Sequence, residues 1–422
     1  MVRSSRVLCQ GAIALAVILP AAYYILKEIQ IAGTMGFPLD DSWIHLVFAR
    51  NITMGDFFSY NPHQHAAGST SPLWTVILAA GYLVTHSAVL MPKIFGILLN
   101  IGIGFVVFQF ALYEGMKEFS ACMTAILVVT ATRLVWASVS GMEVSLYVLL
   151  ATSSLYCWLR YNKSESWKKY LGVILAAAAA TARPELILLP FFFLLHQIFS
   201  YKKPRTKGAK NSAIIKTIPS LNFNELMKQG IVFLGCITPF FLLNLSLSGH
   251  LYPLTYTAKT AGVGIGTLID KGATDAIITR IYSSLWVANT NAFKWVWAQD
   301  NFTFAITCII LFVVYIVSWA RKGIRTTIES AIILFGIVLF LYAPIRYIIT
   351  GLPNFGQFGR YAAFLTPALV LFGAFGIYSL SHSMELKDAR IGIISFAVVQ
   401  IVCLMFFIMR RDFLGRGISC LR

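Results

Sequence analysis

The sequence predicts an all-α integral membrane protein, a polytopic helical bundle with about 11 spanning helices and interfacial helices in its first extracytoplasmic loop. Hydrophobic residues make up 58% of the 422 residues, charged residues only 12%, and the mean hydropathy is +0.74. A soluble domain has an apolar share of about 45–50%. The long apolar segments also lack the two-residue alternation of a membrane β-barrel. Both observations favour a bundle of membrane helices.

The predicted spans are the apolar segments with the length that a membrane helix needs. The first follows Arg3 and Arg6 and suits a retained spanning helix better than a cleaved signal peptide. The full set is 7–26, 92–113, 121–137, 144–159, 170–182, 186–199, 230–248, 302–320, 330–349, 362–380 and 391–409. One more apolar segment, 73–90, decides on which side every later loop lies.

Lys and Arg residues predict the orientation and account for the formal net charge of +17 without a nucleic-acid partner. Cytoplasmic loops of membrane proteins are rich in these residues. If 73–90 does not cross, the basic loops 160–169, 202–207 and 321–325 share a side with Arg3. We therefore place the N-terminus in the cytoplasm and 73–90 at the outer interface or re-entrant.

This topology makes 1–422 a single transmembrane domain with its polar residues on one face. The extracytoplasmic side receives the loops 27–91 and 249–301, and 200–229 is a basic cytoplasmic loop. Most charged residues outside the basic loops fall on the outer side: Asp40, Asp41, Glu143, Arg183, Glu185, Lys259, Arg346 and Arg360. Transporters instead place ionisable groups near the membrane midplane.

The acidic pair Asp40–Asp41 follows the first span by a few residues. A short interfacial helix is predicted from Trp43 onward, with Trp43, Leu46, Val47 and Phe48 on one face and with His45 and Arg50 elsewhere. The pair then lies at the helix N-terminus, where one Asp can serve as a cap. The alternative is catalytic, since a partly desolvated carboxylate at this boundary can act as a base.

Later segments supply further candidate site residues. Ser69 and Thr70 belong to a turn with small hydroxylated residues, Gly and Pro, which is either a plain turn or a substrate contact. Glu143, Arg183 and Glu185 lie at predicted helix ends. They form either a buried ion pair or a site in which Arg183 clamps a phosphate.

Two more segments offer cations to an anionic substrate. Thr255 and Lys259 follow a predicted span, and Arg360 with Tyr361 precedes another, where snorkelling at the interface is the alternative. The seven cysteines lie mostly inside apolar segments and have no metal-ligand spacing. They are interpreted as buried hydrophobic residues, not as a zinc site.

The first loop resembles a known family pattern. It reads Asp40-Asp41-Ser-Trp-Ile-His, Ala49-Arg50-Asn51, Gly55, Asn61-Pro62 and Ala67-Gly-Ser-Thr-Ser-Pro-Leu-Trp74. This order is similar to the first extracytoplasmic loop of GT-C glycosyltransferases, above all the cell-wall β-arabinofuranosyltransferase-like and protein mannosyltransferase-like branch. Ser140-Gly-Met-Glu143, Ala182-Arg183-Pro-Glu185, Pro253-Leu-Thr255 with Lys259, and Arg360-Tyr361 extend the resemblance over most of the chain.

The resemblance implies a GT-C-like bundle that transfers a sugar from a polyprenyl-phosphate donor to an acceptor hydroxyl, with inversion. Asp40 is then the general base, and Asp41 orients the acceptor or, like Asp40, holds a divalent cation (Mg, Mn or Ca). The implied substrate- and phosphate-binding residues are His45, Arg50, Ser69, Thr70, Glu143, Arg183, Glu185, Thr255, Lys259, Arg360 and Tyr361.

The resemblance also implies a location and partners. The location is a bacterial plasma membrane, with the active site facing outward among membrane lipids, and the acceptor is a glycan, a lipid or a protein. Many relatives continue into a soluble C-terminal domain beyond the segment that corresponds to 410–422, so this chain is expected either to lack acceptor-binding parts or to find them in a partner protein. Ser42-Trp43 and Ser69-Thr-Ser71 depart from the arabinosyl pattern and leave the sugar open.

Two other function classes stay open at this point. A lipid-linked-sugar transporter or flippase would bind the same lipid phosphates, but it would carry inverted repeats and polar residues at the midplane. A non-catalytic cell-envelope assembly protein would bind such lipids without turnover.

Overall fold

The computed structural model describes residues 2–85, 87–199, 223–260, 263–284, 327–352, 360–361 and 363–383. The predicted spans 302–320 and 391–409 lie outside the described residues. So do His86, residues 200–222 of the basic loop and residues 285–301 of the outer loop.

The described part of the chain is helical apart from one short hairpin, which confirms the all-α prediction for these residues. The helices are α1 (Val2–Ala32), α2 (Asp40–Thr53), α3 (Pro72–Val84), α4 (Leu90–Tyr113), α5 (Glu118–Val129), α6 (Thr132–Val139), α7 (Val144–Tyr161), α8 (Leu171–Ala182), α9 (Leu189–Phe199), α10 (Phe223–Ser248), α11 (Leu254–Thr260), α12 (Ile265–Asp270), α13 (274–284), α14 (Thr327–Thr350) and α15 (Leu365–Ser383). Short 3₁₀ helices cover Trp167–Tyr170 and Pro184–Leu188. The strands β1 (Ser59–Asn61) and β2 (Gln64–His65) pair antiparallel.

Three helices of the described part are long and apolar enough to cross a membrane. They are Ser5–Ala32 of α1, α4 and α10. A fourth span results if α5 and α6 count as one, although they are bent by 60° at their junction. The chain is therefore a membrane-associated helical protein by length and composition.

The bend between α5 and α6 differs from the straight span predicted over 121–137. The Thr130 hydroxyl donates to the Ile126 carbonyl at 2.7 Å, a bond that competes with the helix backbone. Asn100 of α4 donates to the carbonyls of Val129 and Leu134 on either side of the break. A buried amide therefore satisfies carbonyl groups that flank the break.

The ambiguous segment 73–90 forms the 13-residue helix α3 and then a turn. At 1.5 Å per residue α3 is about 20 Å long, shorter than the roughly 30 Å hydrocarbon core of a bilayer. It buries Trp74, Thr75 and Leu78 and packs against α2. These dimensions fit an interfacial element and leave α3 beside the first loop.

Small residues let the central helices approach closely. A Cβ atom at Gly96 of α4 would overlap the carbonyl oxygen of Ser138, and one at Gly172 would meet the backbone of Trp158. The α8 residues Ala176 and Ala180 are buried where α8 packs against α7. The Gly96 crossing holds the end of α6 against α4, directly before the turn that leads to Glu143.

We predict that Gly96→Ala destabilises the protein by about 1–3 kcal/mol, because the added methyl group must displace backbone in a close-packed crossing. Gly235→Ala in α10 is the matched control, since nothing lies within 4 Å of its Cβ position. That change should leave stability equal or slightly higher. Reversible unfolding in mixed detergent micelles measures both. Equal stability of the two variants would contradict the close crossing.

Candidate active site

A buried ion pair fixes the segment that leads into α2. The Lys93 Nζ atom donates to Glu28 Oε2 at 2.8 Å and to the Val139 carbonyl at 3.0 Å. The other Glu28 oxygen accepts from the backbone N–H of Gly36 at 3.1 Å. The chain before α2 and the end of α6 are therefore attached to the same lysine of α4.

The turn from Ser140 to Glu143 joins these elements to α7. Gly141 has a φ of +75° and lies against the ring of Phe37, so a side chain there would be strained in conformation and would overlap the ring. The Ser42 hydroxyl donates to the Ser140 carbonyl at 2.8 Å, and Trp74 Nε1 donates to the Gly141 carbonyl at 3.1 Å. The first turn of α2, the start of α3 and the start of α7 consequently meet at this turn.

Glu143 occupies the centre of the meeting point and is fully buried. One carboxylate oxygen pairs with Arg183, and the other lies 3.4 Å from Nε2 of His45. Burial raises the pKa of Glu143, but the charge of Arg183 and the contacts with His45 outweigh it and hold this pKa well below its usual range. Glu143 is therefore a buried anion at neutral pH.

His45 connects Glu143 to the loop before α3. Its Nδ1 atom lies 3.1 Å from Ser69 Oγ, which in turn lies 2.8 Å from Thr75 Oγ1. Ser69 Oγ also accepts from the backbone N–H of Ser71 at 3.2 Å. The nearby Glu143 carboxylate favours the tautomer with its proton on Nε2, in which the Nδ1 atom accepts from the Ser69 hydroxyl. His45 and Ser69 thus hold the loop before α3 against Glu143.

The acidic pair lies at the N-terminus of α2 as predicted, but the predicted apolar face of this helix was wrong for Trp43 and His45. The helix begins at Asp40 and not at Trp43, and its buried residues include Ser42, His45 and Leu46, while Trp43 is exposed. Here the buried polar groups find partners in distant segments, which makes their burial tolerable.

Arg183 is enclosed by acidic and aromatic groups. It is paired with Glu143, its Nε atom lies 3.4 Å from Glu185 Oε2, and its guanidinium carbon lies 4.2 Å from the centre of the Tyr361 ring. Burial lowers the pKa of Arg183, but the two carboxylates outweigh this and raise it above the ordinary value. Of the two arrangements expected from the sequence, the structure has the buried ion pair.

Asp41 and Arg360 form the more exposed ion pair of the cluster. Arg360 Nη1 lies 2.5 Å from Asp41 Oδ2, and the two side chains are 11% and 27% exposed. Hydroxyl groups of α7 and α14 hold the backbone here, since Tyr147 donates to the Arg360 carbonyl and Tyr342 to the Tyr361 carbonyl. Burial lowers the pKa of Arg360, but Tyr361 and the nearby carboxylates raise it, and the net shift is upward.

Asp40 has a different environment from its neighbour. Its side chain is exposed, and its Oδ1 atom accepts only the backbone N–H of Asp41, at 2.9 Å, among the contacts of the described residues. The first turn of a helix favours an anion there. Asp40 is thus the carboxylate of the pair that a water-soluble group can reach.

The other predicted site residues form no hydrogen bond or ion pair with this cluster among the described side chains. Arg50 is exposed and contacts Asn51, and Thr70 is half-buried. Thr255 and Lys259 lie on α11, which is attached to the first loop by a 2.9 Å bond from the Leu254 N–H to the Ala67 carbonyl. The Lys259 side chain lies outside what the structure describes.

Sequence reasoning missed several residues that contact the cluster or the segments attached to it, namely Glu28, Thr75, Lys93, Tyr147 and Tyr342. It placed Arg346 on the outer face but did not predict that this residue belongs to the cluster. Arg346 has its guanidinium carbon 4.8 Å from the Tyr361 ring centre and donates to the Leu352 carbonyl. A charged residue at the border of an apolar segment was the available signal for Lys93 and Arg346. Within the described ranges no three His, Cys, Asp or Glu side chains gather as metal ligands, so the structure adds no support for a cation at Asp40 or Asp41.

Comparison with protein-family models and with curated protein sequences finds no match for this chain.

We predict that Glu143→Gln destabilises the protein by about 3–5 kcal/mol, because the change leaves Arg183 buried with one carboxylate fewer. The double variant Glu143→Gln/Arg183→Met should recover part of the loss, since it removes both buried charges. The measurement is unfolding in mixed micelles.

The matched control is Glu118→Gln, which breaks another Glu–Arg pair. That pair joins Glu118 to Arg6 at 2.8 Å, with 51% of the Arg6 side chain exposed. Exposed pairs contribute little to stability, so this variant should unfold nearly as wild type does. A loss for Glu143→Gln no larger than for Glu118→Gln would contradict the buried-pair description.

Proposed function

We propose that the protein is an integral membrane glycosyltransferase. It moves a sugar from a polyprenyl-phosphate donor to an acceptor hydroxyl at the extracytoplasmic face, with inversion at the anomeric carbon. The observation that supports this most is the division of the acidic pair at the start of α2. Asp40 is exposed, while Asp41 pairs with Arg360 above the buried Glu143–Arg183 pair.

The start of α2 and its partner Arg360 thus offer the two groups that the reaction requires, a base (Asp40) and a cation (Arg360). The exposed Asp40 carboxylate takes the proton of the acceptor hydroxyl as its oxygen attacks the anomeric carbon. The bond between that carbon and the phosphate oxygen breaks, and polyprenyl phosphate leaves with one additional negative charge. The Arg360 guanidinium stabilises that charge as it develops.

The buried residues serve as supports in this proposal. Glu143 and Arg183 hold Tyr361, the neighbour of Arg360, through the stacking of Arg183 on the Tyr361 ring. His45 and Ser69 attach the first loop to Glu143. Asp41 orients the acceptor, Glu185 supports Arg183, and Thr70, Thr255 and Lys259 remain proposed substrate contacts.

The remaining features of the sequence prediction belong to the same proposal. They are a GT-C-like fold of about 11 spans, a cytoplasmic N-terminus, a bacterial plasma membrane and an arabinofuranosyl- or mannosyl-type sugar. The three apolar helices of the described part and the short helix α3 are compatible with them. The acceptor is a glycan, lipid or protein hydroxyl.

We predict that Asp40→Asn lowers sugar transfer by roughly 10²–10⁴-fold, the usual contribution of a general base. The assay incubates the full-length protein in nanodiscs with radiolabelled polyprenyl-phosphate arabinofuranose or mannose and a mixture of glycan acceptors. It counts the label that enters the acceptor. Affinity for the donor should change far less than the rate.

The matched control is Asp270→Asn, which also removes one exposed carboxylate, at the end of α12. It should transfer sugar at the wild-type rate. Transfer by Asp40→Asn at the rate of this control would refute the role of Asp40. Donor binding by the wild type without any transfer would instead favour the transporter or the assembly protein.

A further inference from the structure

We propose that Asp41 occupies the anion-binding position of Arg360 and that a phosphate group binds there by displacing it. Asp41 then sets the affinity of the site for phosphate. The identity of the ligand as a lipid-linked phosphate rests on the proposed function, whereas the exchange itself rests on the geometry of the charged cluster.

Among the described residues, the charges around Tyr361 are balanced. The guanidinium carbons of Arg183, Arg346 and Arg360 lie 4.2, 4.8 and 5.3 Å from the centre of its ring. Three carboxylates, those of Asp41, Glu143 and Glu185, belong to the same cluster. An additional anion therefore finds no uncompensated positive charge among the described residues unless one of these carboxylates leaves.

Exposure decides which carboxylate leaves. The Glu143 side chain is 0% exposed and that of Glu185 is 12% exposed, whereas that of Asp41 is 27% exposed. A carboxylate at the surface regains hydration when it separates from its partner, but a buried one does not. Asp41 also lies in the first turn of α2, where rotation of its side chain needs no movement of the helix.

Arg360 has the properties of the receiving group. A planar guanidinium suits the several acceptor oxygens of a phosphate better than a single carboxylate contact. Its Nε atom is buried and has no hydrogen-bond partner among the described residues. The Tyr147 hydroxyl holds the Arg360 backbone, so the guanidinium stays in position while its anion is exchanged.

The exchange predicts that Asp41→Asn binds phosphate more tightly. The probe is a fluorescent short-chain polyprenyl phosphate, titrated against the full-length protein in nanodiscs. The Kd of the probe should fall by roughly tenfold, which is within the usual size of the coupling between two binding events. Arg360→Gln should weaken binding, and Asp41→Asn should give no gain when Arg360→Gln is also present.

Glu185→Gln is the matched control, because it removes another carboxylate from the same cluster without touching Arg360. It should change the Kd far less than Asp41→Asn does. An equal gain for both would mean general charge repulsion and would overturn the exchange. Unchanged or weaker binding by both Asp41→Asn and Asp41→Ser, with wild-type unfolding midpoints, would overturn it as well.

Two further arms separate the ligand and the function from the exchange. Displacement of the probe by millimolar inorganic phosphate, with the same dependence on Asp41, supports the exchange and assigns it to a soluble phosphate. Tighter binding by Asp41→Asn in a protein that transfers no sugar supports the exchange and refutes the proposed function. Transfer activity combined with no Asp41-dependent gain overturns only the exchange.

Discussion

The buried pair of Glu143 and Arg183 is the interaction on which the rest of the site depends. A fully buried carboxylate is tolerated only with a close opposite charge and further hydrogen bonds. Its partners come from the end of α8 and from α2, and those partners bring Glu185, Tyr361 and Ser69 with them. The need to compensate one buried charge therefore gathers segments that are far apart in the sequence.

A second buried charge, Lys93, performs the same task one layer away. It attaches Glu28 at the end of α1 to the last turn of α6, while Gly96 on the same helix allows α6 to approach. Lys93 and Gly96 lie within one turn of each other on α4, so the close crossing with α6 lies next to the contact that holds the start of the first loop. Paired charges and small residues at the helix crossing therefore both hold the site where α2 and α7 begin.

Most helices and the membrane character could be predicted from the sequence, because the length of each apolar segment is visible directly in the order of the residues. The predicted 144–159 and 170–182 lie within a residue or two of α7 and α8. The bend after Thr130 could not be predicted in this way, since apolar character continues across it. Asn100, a polar residue inside an apolar segment, was the available signal. The burial of His45 was missed because its partners, Ser69 and Glu143, lie 24 and 98 residues further along the chain.

The two adjacent carboxylates are distinguished by helix geometry alone. Successive residues of an α-helix are rotated by about 100°, so side chains at Asp40 and Asp41 cannot face the same way. The pair lies in the first turn of α2, whose buried side continues with Ser42 and His45. Asp41 therefore borders the cluster and finds Arg360, while Asp40 faces water with only a backbone N–H as its partner in the described part. In the proposed reaction, a single carboxylate could not both neutralise Arg360 and remain open to the acceptor hydroxyl. Two carboxylates in sequence can do both at once, which explains why an acidic pair, and not one Asp with a neutral neighbour, suits this position.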